Sequence, residues 1–135
     1  MITYLKAIQT NGTDGEVNGY VIPIWHVDSG VKVDQVYLTT IDPWKMKGPH
    51  LHHQRHGAFT VLSGSVAIVT RNGAEYTTHQ CHQESPVTVH VPPGTPCALY
   101  NIGSTEALVL NLPTPPWRDN SDEFTVEDWD YEVIV

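Results

Sequence analysis

The chain has 135 residues, 40% hydrophobic and 16% charged, and its seven basic against fifteen acidic residues give a formal net charge of −8. That length fits one domain with a real core, and the acidic excess argues against nucleic acid or an anionic membrane as partner. No segment reaches membrane-spanning length, the start "MITYLKAIQTNG" lacks a basic leader before an apolar run, and Cys81 and Cys97 form no C-x-x-C pair. A cytoplasmic protein with two free thiols is therefore the expectation.

Taken in chain order, short β-branched or aromatic runs alternate with turn residues, and helical periodicity is hard to find before the tail. "GYVIPIWHV", "DQVYLTTI", "GAFTVL", "SVAIVT", "AEYTT", "PVTVHV", "CALYNI" and "ALVLNL" each read as a strand. Between them fall "DSG", "SG", "RNG", "PPG" and "IGS", with "RNGAE" a hairpin turn. About eight short strands at such spacing predict an all-β, antiparallel sandwich or small barrel. "PTPPW" ends the core, because proline has no N–H to give an interior strand. The expected organisation is a single domain over 1–135, with a core at about 18–112 and an acidic tail at 113–135 whose "SDEFTVEDWDYE" fits a short helix or an edge strand.

Four of the eight histidines lie within "GPHLHHQRHG", residues 48–57. Side chains alternate faces along a strand, so His50 and His52 share one face about 7 Å apart, while Leu51 and His53 share the other. Two such imidazoles can converge on one ligand. Lone histidines in loops are usually solvated, and that is the expectation for His53, His56, His79 and His82. Lys45, Lys47, Arg55 and Arg71 lie near this stretch, so an anionic small molecule is compatible with the site despite the overall charge.

The same residues resemble the cupin superfamily. Its first motif, H-x-H, four residues, glutamate, six residues, glycine, is met by His50-Leu51-His52 and Gly64, with Gly57 at the glutamate position. Its second, P-x-G, two residues, histidine, three residues, asparagine, is met by Pro92-Pro93-Gly94 and Asn101, with Cys97 at the histidine position. The resemblance covers 48–101 and implies a jelly-roll β-sandwich closed as a small barrel. With glutamate and histidine both missing, a divalent cation keeps only two sure ligands. The alternative metal set is His50, His52 and Cys97, whose thiolate would favour zinc.

Within that superfamily the chain is similar to the dTDP-4-dehydrorhamnose 3,5-epimerases and the dTDP-4-keto-6-deoxyglucose 3,4-ketoisomerases. It shares with them the "DQVYLTTI" strand, "KMKGPHLH", the "VLSG" strand end, the P-x-G turn and the acidic aromatic tail. Its length and H-x-H incline to the ketoisomerase side. The resemblance implies an isomerase without metal or other cofactor, acting on a nucleotide 4-keto-6-deoxy sugar. By position in the H-x-H, His50 would be the base and His52 the proton relay; Tyr100, in the strand after the P-x-G turn, is either a second acid or a core-edge aromatic, and Lys47, Arg55 and Arg71 are the cations nearest in sequence for the diphosphate. Histidine suits the base role because it titrates near neutral pH. A homodimer is expected, since open sheet edges of such folds need covering. The competing readings are a metal-dependent cupin enzyme and a non-catalytic cup that binds a sugar or another small molecule.

Overall fold

The computed structural model describes residues 2–24, 33, 35–115 and 122–133. Its strands, in chain order, are β1 (Ile2–Tyr4), β2 (Ile8–Asn11), β3 (Val17–Val21), β4 (Tyr37–Ile41), β5 (Met46–His52), β6 (Gly57–Ser63), β7 (Ser65–Asn72), β8 (Glu75–His82), β9 (Val87–Val91), β10 (Cys97–Asn101), β11 (Ala107–Asn111) and β12 (Glu123–Thr125). They form two five-stranded sheets, β1-β9-β6-β11-β4 and β12-β5-β10-β7-β8, plus the separate hairpin β2-β3. Every pairing is antiparallel. This is the expected all-β, cupin-type sandwich.

Alternation along the strands builds the core. Val89 and Val91 from one sheet meet Val66, Ile68 and Leu99 from the other, and all are buried. Burying each such side chain is worth about 1.5–3 kcal/mol. β7 departs from simple alternation, because Val66, Ala67, Ile68 and Val69 are all buried. A strand buried on both faces needs a second cover, and here the C-terminal segment supplies it by crossing the back of the sheet.

The runs "GAFTVL", "SVAIVT", "PVTVHV", "CALYNI" and "ALVLNL" are β6, β7, β9, β10 and β11. "AEYTT" extends through His82, whereas "DQVYLTTI" contributes only Tyr37–Ile41. "GYVIPIWHV" stops pairing at Val21, and its end, like the turn "DSG", lies outside the described residues. β1 and β2 were not foreseen, and β12 was foreseen only as one of two alternatives for the tail. They are short, and their partners rather than their own composition make them strands. The tail's edge-strand alternative is the one realised, at Glu123–Thr125. Of "PTPPW", Thr114 makes a bridge with His56, and its last two residues lie outside the described residues.

One irregularity aims the histidine strand. In the β5–β10 ladder Cys97 faces His50 but Leu99 faces Lys47, so Gly48 and Pro49 together oppose Ala98. This is a β-bulge, which shifts the parity of side chains on either side of it. Gly48 has φ 90°, and a Cβ there would lie 2.8 Å from the Cys97 carbonyl oxygen. Only glycine fits that approach without strain. Proline is tolerated at a bulge because one ladder position is lost there anyway.

Candidate functional site

Because of the bulge, Lys47, His50 and His52 face the same side of β5 although their spacing mixes odd and even steps. They line a cavity of about 320 Å³ between the two sheets. Thr39, Phe59 and Asn111 form the opposite wall, and Cys97 and Leu99 of β10 sit beside the histidines. The rings of His50 and His52 are 6.5 Å apart, as expected for alternate residues of one strand face. The P-x-G turn closes the rim, its Gly94 N–H donating to the His52 carbonyl at 2.7 Å.

The carboxylate that position 57 lacks comes from elsewhere in the chain. β12 pairs with β5 so that Glu123 lies opposite His52 and Thr125 opposite His50. Glu123 thus shares the histidine face, and its Oε1 lies 3.1 Å from His50 Nδ1 and 3.6 Å from His52 Nε2. The preceding residue, Asp122, accepts the backbone N–H groups of His53, Gln54 and Arg55 at 3.2, 3.0 and 3.1 Å. Those bonds hold the Asp122 carboxyl below the usual carboxylate range and fix the loop after the histidine strand.

Electrostatics set the histidines apart. Burial, then the nearby Arg55 charge, lowers the His52 pKa against the opposing pull of Glu123. His52 is therefore neutral at pH 7, and its buried Nε2 has no hydrogen-bond partner among the described residues. The 3.1 Å contact places the Glu123 carboxylate at the Nδ1 side of the His50 ring; with the ring proton on that side, Nε2 keeps the free lone pair that a general base requires. Two cations reach the cavity: Lys47, which donates to Thr39 Oγ1 at 2.7 Å, and Arg55, which is 7% exposed.

Tyr100 and Arg71 do not reach it. Alternation in β10 sends Cys97 and Leu99 to the cavity and Tyr100 to the back of the sheet, where Tyr100 Oη accepts from Trp129 Nε1 at 2.7 Å. Arg71, also on the back, pairs with Asp128 at 3.2 Å. His56, expected to be solvated, lines the cavity, and its main chain exchanges two hydrogen bonds with Thr114. His53, just past the strand end, meets the ring of Phe124. Asn101 has a structural part, binding the Ile41 and Thr105 carbonyls and the Gly103 N–H.

The alternative metal set does not fit this geometry. Without a cation beside it, the Cys97 thiol is pushed by burial up to about 12. Among the described residues no group of three or more histidine, cysteine, aspartate or glutamate side chains is arranged to hold a metal ion.

Comparison with known proteins adds a family and a set of neighbours. Residues 23–123 match the family described as the polysaccharide biosynthesis C-terminal domain. None of the curated proteins matches the chain in sequence. Among solved structures it is similar to the capsular polysaccharide assembling protein CapF of Staphylococcus aureus, at 25% identity and a TM-score of 0.65 over 69% of this chain. The chain spans 28% of CapF's length. A dTDP sugar isomerase from Desulfovibrio desulfuricans G20 superposes with a TM-score of 0.79 at 19% identity, over 93% of this chain and 82% of that one. QdtA, a sugar 3,4-ketoisomerase from Thermoanaerobacterium thermosaccharolyticum in complex with TDP, gives 0.72 at 21% identity, over 94% and 89%.

Proposed function

This chain belongs to the polysaccharide biosynthesis C-terminal domain family, and on that premise we propose that it is a metal-independent isomerase of a nucleotide 4-keto-6-deoxy sugar, of the epimerase or ketoisomerase type. The observation that carries the reading is the His50–Glu123 pair facing a cavity between the sheets. The neighbouring folds of a dTDP sugar isomerase and of QdtA, solved with TDP, support the substrate class.

A C4 ketone acidifies the C–H bonds beside it, so the reaction needs a base at carbon and a proton donor at oxygen. His50 Nε2 takes the proton from the carbon next to C4, and the electron pair moves into the C–C bond as the ketone becomes an enolate. Glu123 stabilises the resulting imidazolium through Nδ1–H, the role a carboxylate plays behind a catalytic histidine. His52, neutral and beside the same carboxylate, relays the proton. For ketoisomerisation the hydroxyl proton of the deprotonated carbon passes to the C4 enolate oxygen and the carbon-derived proton is delivered to C4, so that the ketone moves to the neighbouring carbon; for epimerisation the proton returns to the original carbon from the other face and the C4 ketone re-forms. Lys47 and Arg55 neutralise the diphosphate, the arginine by paired donors.

Thermal shift with a panel of nucleotides, followed by turnover of a nucleotide 4-keto-6-deoxy sugar in the presence of a chelator, tests the reading. Stabilisation by a nucleoside diphosphate and unchanged turnover are expected. Stabilisation without turnover by any such sugar would make the chain a binding protein, and activity abolished by chelation would make it a metal enzyme.

A further inference from the structure

The catalytic carboxylate sits on a strand of three residues at the sheet edge, which is too little to hold it in place alone. Immediately after it the chain leaves the edge and crosses the back of the same sheet. Val126 N–H still donates to the Pro49 carbonyl at 3.2 Å. Asp128 then receives Arg71 from β7 through both its carbonyl and its carboxylate, at 3.1 and 3.2 Å. The Trp129 indole donates to Tyr100 of β10 at 2.7 Å and stands edge-on to the Tyr76 ring of β8, with centroids 5.0 Å apart. Tyr76 Oη in turn accepts the Asp130 N–H at 2.8 Å, and Tyr131 bonds to Thr78. The side chains of Arg71, Tyr76, Thr78 and Tyr100 all lie on the face of the sheet away from the cavity.

We infer that this aromatic anchor, centred on Trp129 with Tyr100 and Tyr76, is a positioning device that holds Glu123 against His50. The inference rests on the proposed role of His50 as base. Asp128 stands five positions after Glu123, so little slack separates the anchor from the carboxylate, and a shift of the segment along the sheet moves the carboxylate with it. The anchor's residues touch neither the cavity nor any group in it. Their effect on chemistry must pass through Glu123, and that gives them a signature that a merely stabilising cluster lacks.

The test compares wild type with Trp129→Phe, which deletes the bond to Tyr100 but keeps a ring, and with Trp129→Ala. Nitrogen-15 NMR of the histidine rings reads the His50–Glu123 bond directly. Wild type should show His50 as the Nδ1–H tautomer with a hydrogen-bonded proton. Trp129→Ala should lose that proton signal while the backbone spectrum of the core strands is kept, and Trp129→Phe should fall between. In turnover, Trp129→Ala should lower kcat by about 100-fold with little change in KM, yet cost less than about twofold more in a Glu123→Ala background. An unchanged His50 signal in Trp129→Ala, or equal losses in both backgrounds, would overturn the inference. Should Trp129→Ala fail to fold, the same two readings on Trp129→Phe decide it. The NMR reading does not depend on activity, so a wild type that turns over no sugar would sink the proposed function while the anchor still stood or fell by the His50 spectrum.

Discussion

His50 and His53 are three positions apart and chemically identical, yet His50 lines the cavity while His53, just past the strand end, meets the Phe124 ring. Substitution of His50 by Asn keeps size and polarity while removing the base, so turnover is expected to fall by about two to four orders of magnitude. His53→Asn should change it little, as steady-state kinetics on the two variants will show. A second consequence concerns stability. Burial lowers the pKa of His52, and likewise of His79 and His90, below the ordinary 6.5. The unfolded chain therefore takes up protons that the folded one refuses as pH drops below that value, so stability is full above it and declines beneath it. Urea midpoints should fall steadily from about pH 7 to about pH 5. A flat profile would mean that these rings are protonated in the folded protein.

At the scale of strands, the bulge at Gly48-Pro49 decides which side chains share the cavity. Gly48→Ala places a Cβ 2.8 Å from a backbone carbonyl in a left-handed conformation, and should cost about 3 kcal/mol or more by thermal or urea unfolding. A variant as stable as wild type would show that β5 and β10 do not approach so closely. The strands that pack the core were legible in the sequence because β-branched runs and turn residues mark them without tertiary help. β1 and β2 were not, and β12 only as one of two alternatives, because three or four residues carry no period of their own and become strands through the edges they meet. The bulge was not read from the sequence: the parity change that brings Lys47 beside His50 appears only in the β10 register. Tyr100 was misplaced for a related reason, since its face depends on which way the whole of β10 is turned.

For the molecule as a whole, the parts of the site come from distant stretches of chain. The H-x-H and the P-x-G turn were readable as motifs, and so was the resemblance they carry. Glu123, lying 71 positions after His52 in a tail with many acids, had nothing to single it out until β12 paired with β5. The exposed apolar residues of the β2-β3 hairpin, Val17, Tyr20 and Val21 at 54%, 63% and 53%, form part of a surface that a second copy would cover, and a homodimer is our proposal for it. Light scattering should give twice the mass of one chain, and Tyr20→Asp should shift it towards monomer. No helix among the described residues is long and apolar enough to cross a membrane.

The central claim is that His50, braced by Glu123, removes a proton beside a sugar ketone. Incubation of a nucleotide 4-keto-6-deoxy sugar with the protein in deuterated water, read by proton NMR of the ring positions, addresses it directly. Wild type should place deuterium on a carbon adjacent to C4, Glu123→Ala should do so much more slowly, and His50→Asn not at all. Exchange that persists at the wild-type rate in His50→Asn, or no exchange by the wild type with any such sugar, would contradict it.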